Sequence, residues 1–225
     1  MGLASICVLT LSNKPSLLPD ARESVNSQQA AVGRNIVHVV AIDGPEWDWP
    51  AGSYPPAVFY NRAARKASED SYIIWLSDDD YFLPGALEAM ASYLDDNPAA
   101  WAVYGGAKHV ALHGGEEAFI RDLPQACVSR YDHDHDPLGQ IDGGQVMVRR
   151  SALDYMAYPY TPEGADGNER VNDGVLLRNM AQAFGIQRLE PWRQVVVCRS
   201  TPLSAHTVPS GGAGVVGADW RRNHG

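Results

Sequence analysis

Three consecutive carboxylates, Asp78, Asp79 and Asp80, follow the short apolar run 72–76. Such a run predicts a buried strand, and the acids then lie at its carboxyl end, where open α/β sheets bind nucleotides and other ligands. Adjacent carboxylates repel one another unless a divalent cation or solvent offsets their charge. The triplet therefore favours a site for a cation and a ligand. The alternative is a solvated turn whose acids cap the helix predicted to open at Pro84.

Two further predicted strands end in polar residues. Residues 5–11 and 35–42 are apolar runs closed by polar turns; Thr10 and Ser12 lie at the end of the first, and Asp43 follows the second. Because the carboxyl ends of neighbouring parallel strands share one sheet edge, these side chains are expected to meet the acid triplet in one crevice.

The elements that must position these residues alternate along the chain. Helical spacing of apolar residues separates the three strands, and further strands are predicted at 101–104, 145–149 and 194–198. This order predicts a single α/β domain with a mostly parallel central sheet flanked by helices. Between residues 105 and 144 the periodicity indicates turns but no clear element.

Composition excludes several classes of protein. The chain has 225 residues and a formal net charge of −9, which disfavours binding to nucleic acid or anionic membranes through overall charge. Cys7, Cys127 and Cys198 are widely spaced, which predicts free thiols in a reducing compartment. The apolar start lacks a basic region and is too short to cross a bilayer, so a cytoplasmic location without a transmembrane segment is expected.

Two other motifs suggest ligand sites but have simpler explanations. The run of alternating Asp and His at 132–136 is interpreted as a flexible polar loop, because successive side chains of an extended chain point in opposite directions. Residues 212–217 match the glycine fingerprint of dinucleotide-binding folds, but no strand precedes them and no long helix can follow. We expect that segment to be either a flap over a ligand or a disordered tail.

Several motifs in order along the chain resemble the GT-A, family-2 glycosyltransferases. The resemblance covers about the first 110 residues, through 5–14, 39–43, Asn61 and 72–84, and extends more weakly to residue 180 through 141–150 and 172–178. It implies a Rossmann-like GT-A domain. Residues 1–110 would bind a nucleotide sugar, residues 111–200 would bind the acceptor, and residues 201–225 would form a flexible C-terminal tail or flap.

The resemblance also implies roles on the donor side. Thr10, Ser12 and Asp43 would border the nucleotide base and ribose, and Asp78 would face the ribose. A Mn²⁺ or Mg²⁺ ion would bridge the donor diphosphate, as oxygen ligands suit hard cations.

For that ion the resemblance implies Asp79 as the ligand, with Asp80 as the competing candidate. It also implies that His206 returns to the metal from the C-terminal segment, although a lone loop histidine is more simply a solvated one.

On the acceptor side the resemblance implies two acids. Asp173 lies near the start of a predicted helix, where the family places its catalytic base; an N-terminal carboxylate that offsets the helix dipole is the alternative. Asp142 precedes two glycines and would bind the acceptor, with an ordinary turn aspartate as the alternative.

These roles together predict a metal-dependent glycosyltransferase of hexosyltransferase type. It would move a sugar, most simply from a UDP-sugar, to an acceptor hydroxyl with inversion. A nucleotidyltransferase is less favoured because the segment after the first strand, 11–15, has no glycine. A non-catalytic nucleotide-sugar-binding module is the third candidate. The acceptor stays open among a saccharide, a lipid-linked intermediate, a protein and a modified base in DNA.

Overall fold

The structure is a computed structural model that describes residues 3–29, 33–42, 55–113, 116–123, 141–156 and 172–200. Its strands and helices follow one another along the chain as β1 (Ile6–Ser12), α1 (Leu18–Gln29), β2 (Ile36–Ile42), α2 (Pro55–Lys66), β3 (Tyr72–Trp75), β4 (Tyr81–Phe82), α3 (Ala86–Asp96), β5 (Ala102–Tyr104), β6 (Gly106–His113), β7 (Glu116–Leu123), β8 (Val146–Arg149), α4 (Ala152–Tyr155), α5 (Asn172–Ala183), β9 (Gln187–Arg188) and β10 (Gln194–Ser200).

The central sheet has six strands in the order β2-β1-β3-β8-β5-β9. All neighbouring pairs are parallel except the two that involve β8, which runs against both β3 and β5. The predicted α/β architecture with a mostly parallel sheet is therefore confirmed. The carboxyl ends of β1, β2 and β3 lie at the same edge, as the sequence predicted.

Alternating residues of β1 build a core on each face of this sheet. Ile6 and Val8 pack with buried residues of α1 and α3, whereas Cys7 and Leu9 pack with buried residues of α2 and α5. This division follows from the pleat, because successive side chains of a strand point to opposite faces. Both faces are covered, which explains why β1 reads as a continuous apolar run.

A second sheet has four strands in the order β4-β10-β6-β7. Its hairpin of β6 and β7 falls in the region where the sequence indicated only turns. Most side chains of β7 are exposed, so an alternating apolar pattern is missing there. The strand forms because its backbone pairs with β6, which the local sequence does not reveal.

Gly105 joins the two sheets, between β5 and β6. Its N–H donates to the Gln145 carbonyl at 3.0 Å, and Gln145 Nε2 donates back to the Gly105 carbonyl at 2.9 Å. A Cβ added here would lie 2.4 Å from Val195 Cγ1. Only glycine fits this close crossing of backbone and strand β10.

The described residues also show the state of two cysteines and whether any helix could span a membrane. Cys7 and Cys198 are buried free thiols, as predicted, and Cys127 lies outside the described residues. Within the described segments no helix is both long enough and apolar enough to span a bilayer.

Candidate functional site

Asp78 ties the end of β1 to the turn after β3. Its Oδ2 accepts hydrogen bonds from Ser12 Oγ and from the backbone N–H of Lys14, both at 2.8 Å. Ser12 is the last residue of β1, so these bonds hold the two strand ends together at the predicted edge. The side chain of Asp78 is thereby fixed in orientation without a cationic partner of its own among these contacts.

Asp79 is held through both its carboxylate and its backbone. Lys14 Nζ lies 3.4 Å from Asp79 Oδ2, and Arg199 Nε donates to the Asp79 carbonyl. Burial raises the pKa of the Asp79 carboxyl above its usual range, Lys14 opposes that rise, and the neighbouring Asp78 adds to it. The Asp79 carboxyl is therefore harder to ionise than a free one, and Lys14 offsets only part of that cost.

Asp80 is buried against strand β10. Its Oδ1 accepts a hydrogen bond from the backbone N–H of Arg199 at 2.9 Å. Burial raises its pKa well above the usual range, and the negative charges of Asp79 and Asp142 raise it further. A carboxylate oxygen of Asp80, one of Asp142 and the Cys198 sulfur all lie within 4.8 Å of one another.

The alternative of a solvated capping turn is wrong. Asp78, Asp79 and Asp80 are only 4%, 7% and 5% exposed. Helix α3 begins later, with Gly85 as its N-cap and without a capping hydrogen bond from a side chain. The triplet is therefore a buried group of acids at the sheet edge. Burying carboxylates costs free energy that helix capping alone does not explain.

Asp142 is a turn aspartate that also lies at the site. Its Oδ1 accepts from the Gly144 N–H at 3.1 Å and its own N–H donates to Gln145 Oε1 at 2.8 Å, which completes a capping box on the 3-10 turn Gly143–Gln145. The turn role is shown, and the turn places Asp142 against Asp80. Helix α5 contacts the same turn.

Thr10 is fully buried at the end of β1. Its Oγ1 shares a 3.0 Å hydrogen bond with His38 Nε2 on the neighbouring strand β2. Thr10 and Ser12 lie on the same face of β1, but only Ser12 has a hydrogen bond to the triplet among the described contacts.

Three other predicted site residues are described in part or not at all. Asp173 is the second residue of α5, and the description covers its helical backbone but not its side chain. Asp43 and His206 lie outside the described residues.

Sequence reasoning missed three residues of the site: Lys14, Cys198 and Arg199. Lys14 lies in the polar turn after the first strand, and its contact with acids 64 and 65 positions away leaves no local signal. Cys198 ends the predicted strand 194–198, and Arg199 follows it. Their partner Asp80 is far away in the chain, so no local pattern indicates these contacts.

A comparison with protein families agrees with this geometry. The family model described as glycosyl transferase family 2 matches residues 56–156, which include the acid triplet and Asp142. Residues 56–156 are thus similar to glycosyl transferase family 2. No curated protein matches the chain.

Solved structures support the same assignment at the level of the fold. TarS residues 1–349 of S. aureus in complex with UDP-GlcNAc aligns with a TM-score of 0.55 and 13% identity over 88% of this chain. A second structure of TarS residues 1–349 gives a TM-score of 0.52 and 10% identity over 87% of this chain. The chain spans 58% and 60% of those two chains. The predicted resemblance to GT-A, family-2 glycosyltransferases is confirmed.

Proposed function

We propose that the chain is a metal-dependent glycosyltransferase of hexosyltransferase type, which transfers a sugar from a UDP-sugar to an acceptor hydroxyl with inversion. The observation that carries this proposal is the buried triplet at the carboxyl edge of the sheet, bound to the end of β1 through Ser12. The family of residues 56–156 supports sugar transfer, and the TarS complex with UDP-GlcNAc supports a UDP-linked donor.

The donor set fits a hard divalent cation. Asp79 and Asp80 are the proposed ligands, and an oxygen of Asp80 lies within 4.8 Å of an Asp142 oxygen and of the Cys198 sulfur. Carboxylate oxygens suit Mn²⁺ and Mg²⁺. When bound, the ion would offset the charge that develops on the leaving diphosphate. His206 is proposed as a further ligand from the C-terminal segment.

The nucleotide is proposed to bind beside the ends of β1 and β2. Asp78 would face the ribose, with its orientation set by Ser12 and the Lys14 N–H. Thr10, Ser12 and Asp43 would border the base and ribose. We further propose that residues 1–110 bind the donor, that residues 111–200 bind the acceptor, and that residues 201–225 form a flexible tail or flap.

Asp173 is proposed as the general base on the acceptor side. Its carboxylate would take the proton of the acceptor hydroxyl as that oxygen bonds to the anomeric carbon. The bond from the anomeric carbon to the phosphate oxygen breaks at the same time, and UDP leaves with the electron pair. Attack from the face opposite the leaving group inverts the anomeric centre. Asp142 is proposed to bind the acceptor near this base.

The proposed acceptor is a saccharide, a lipid-linked intermediate, a protein or a modified base in DNA. Activity toward a panel of these acceptors distinguishes the four classes. The net charge of −9 weighs against DNA unless a basic groove is present. The buried free thiols Cys7 and Cys198 support a reducing compartment, for which we propose the cytoplasm.

Release of UDP tests the proposed function directly. The protein is mixed with UDP-GlcNAc or UDP-galactose and with an acceptor panel, in Mn²⁺ or in excess chelator. We expect UDP release that requires the ion, and a loss of at least about 100-fold in Asp79→Asn and in Asp173→Asn. Asp96→Asn, at an exposed acid that ends α3, is the matched control. Chelator-insensitive release would remove the metal role, and full activity of Asp173→Asn would remove the base.

A further inference from the structure

Lys14 contacts two members of the acid triplet in different ways. Its backbone N–H donates to Asp78 Oδ2 at 2.8 Å, while its side-chain ammonium lies 3.4 Å from Asp79 Oδ2. Among the ion pairs of the described residues, this is the one that joins a cationic side chain to a triplet carboxylate. The guanidinium of Arg199 contacts the carbonyl of Asp79 and the carboxylate of Asp20 instead.

The two contacts of Lys14 differ in tightness. A charge-assisted hydrogen bond from an ammonium to a carboxylate has an ordinary length of about 2.7–2.9 Å, so the separation of 3.4 Å from Asp79 is a loose pair. The backbone bond to Asp78 has the ordinary length. Lysine carries a compact charge on a flexible stem, so the backbone of Lys14 can stay in place while its ammonium moves.

The Lys14 ammonium lies beside Asp79, the carboxylate that is proposed to bind the divalent cation. Asp79 is 7% exposed and stands between two other acids, and the Lys14 side chain is 18% exposed. In this enclosed place an ammonium and a divalent ion on the same carboxylate would repel each other. The two positive groups would therefore compete for Asp79.

We propose that Lys14 is a built-in counter-ion that occupies the cation's place at Asp79 and is displaced when the divalent ion binds. This inference rests on the proposed metal role of the triplet and adds a residue that controls it. When neither the sugar donor nor the ion is bound, the Lys14 ammonium offsets the negative charge of the Asp79 carboxylate. The displacement also weakens cation binding, which lets the ion exchange between turnovers.

Titration of Mn²⁺ without donor tests this competition. Free Mn²⁺ is measured by electron paramagnetic resonance for wild type, Lys14→Met, Lys14→Arg and Lys66→Met. Lys66 is an exposed lysine of α2, so Lys66→Met removes the same charge from a helix surface. We expect Lys14→Met to bind Mn²⁺ about tenfold more tightly than wild type, which corresponds to about 1.4 kcal/mol. Lys14→Arg and Lys66→Met should stay within about twofold of wild type. Equal or weaker binding in Lys14→Met overturns the proposal.

A second measurement covers the case in which Lys14→Met does not fold. The ammonium of Lys14 is followed in the wild-type protein by NMR with ¹⁵N-labelled lysine during addition of diamagnetic Mg²⁺. Displacement predicts that the Lys14 signal shifts and the Lys66 signal does not; an unchanged Lys14 signal at saturating ion contradicts it.

An Asp79→Asn variant separates the two proposals. If Mn²⁺ binds wild type but not Asp79→Asn, and Lys14→Met has no effect, the metal site stands and only the competition is wrong. If wild type binds no Mn²⁺ with or without UDP, the metal role and the competition are both wrong.

Discussion

The three acids of the triplet are adjacent in the chain, yet each is held by a different part of the molecule. Asp78 is bound by the end of β1, Asp79 by Lys14 and the Arg199 side chain, and Asp80 by the Arg199 backbone. Each contact fixes one side chain that would otherwise be repelled by its neighbours. The order of the site therefore depends on Ser12, Lys14 and Arg199 as well as on the acids themselves.

His38 gives a prediction at the same scale. Burial, with a smaller contribution from the positive Arg22, lowers the pKa of His38 from its usual 6.5 to about 4. Between these pH values His38 is protonated in the unfolded chain but neutral in the folded chain. The stability that His38 contributes is therefore fully present above pH 6.5 and is lost as the pH falls toward 4. We expect the free energy of unfolding to fall less steeply over this range in His38→Gln than in wild type.

Urea denaturation at intervals of half a pH unit measures this difference. Glutamine can still share a hydrogen bond with Thr10, so the comparison isolates the proton. Parallel curves for the two proteins between pH 7 and 4 would show that His38 is not held neutral by the fold.

At the scale of elements, β10 connects the second sheet to the site. It pairs with β4 and β6, and its residues Cys198 and Arg199 lie against Asp80. The Arg199 guanidinium also reaches Asp20 on α1 at 2.5 Å and lies over the Tyr81 ring. One strand near the end of the described chain thus fastens an early helix and the acid turn together.

Removal of the Arg199 side chain should destabilise this junction. Arg199→Met leaves the buried Asp79 carbonyl without its donor, and we expect a loss of about 1–3 kcal/mol in the free energy of unfolding. Asp20→Asn is the matched control, because the Asp20 side chain is 64% exposed and its ion pair should contribute less than about 1 kcal/mol. Chemical denaturation compares the two variants. Equal losses would mean that the contact with the acid turn adds nothing to stability.

At the scale of the whole molecule, the two sheets meet at Gly105. The chain leaves β5 of the central sheet and enters β6 of the second within one residue. Val195, at the start of β10, packs against this point and belongs to the core shared with α1 and α3. The joint therefore sets how the second sheet presents β10 to the acid triplet.

A methyl group at this joint tests its tightness. The Cβ of Gly105→Ala would lie 2.4 and 2.8 Å from the two methyl carbons of Val195, and we expect a loss of about 1–3 kcal/mol. In Gly33→Ala the nearest atom is 4.0 Å away, so the same change should cost little. Thermal and urea unfolding compare the pair. A Gly105→Ala protein as stable as Gly33→Ala would contradict the close packing described here.

Local patterns in the sequence predicted the central sheet and the position of the acids at its edge, because β1 and β3 are continuous apolar runs followed by polar residues. The same patterns could not predict the hairpin of β6 and β7, whose exposed side chains carry no alternation. Nor could they predict the role of Arg199, since its partner Asp20 is 179 positions away. Pairing across such distances is decided by packing of the whole chain, not by neighbouring residues.

The central claim is that the buried triplet holds a cation against a nucleotide diphosphate. A crystal structure with UDP and Mn²⁺, with data collected at the manganese absorption edge, tests it most directly. The account predicts an anomalous peak within coordination distance of an Asp79 or Asp80 oxygen, shared with the diphosphate, and the ribose beside Asp78. A peak elsewhere, or UDP bound away from the ends of β1 and β3 with no ion at the triplet, would contradict it.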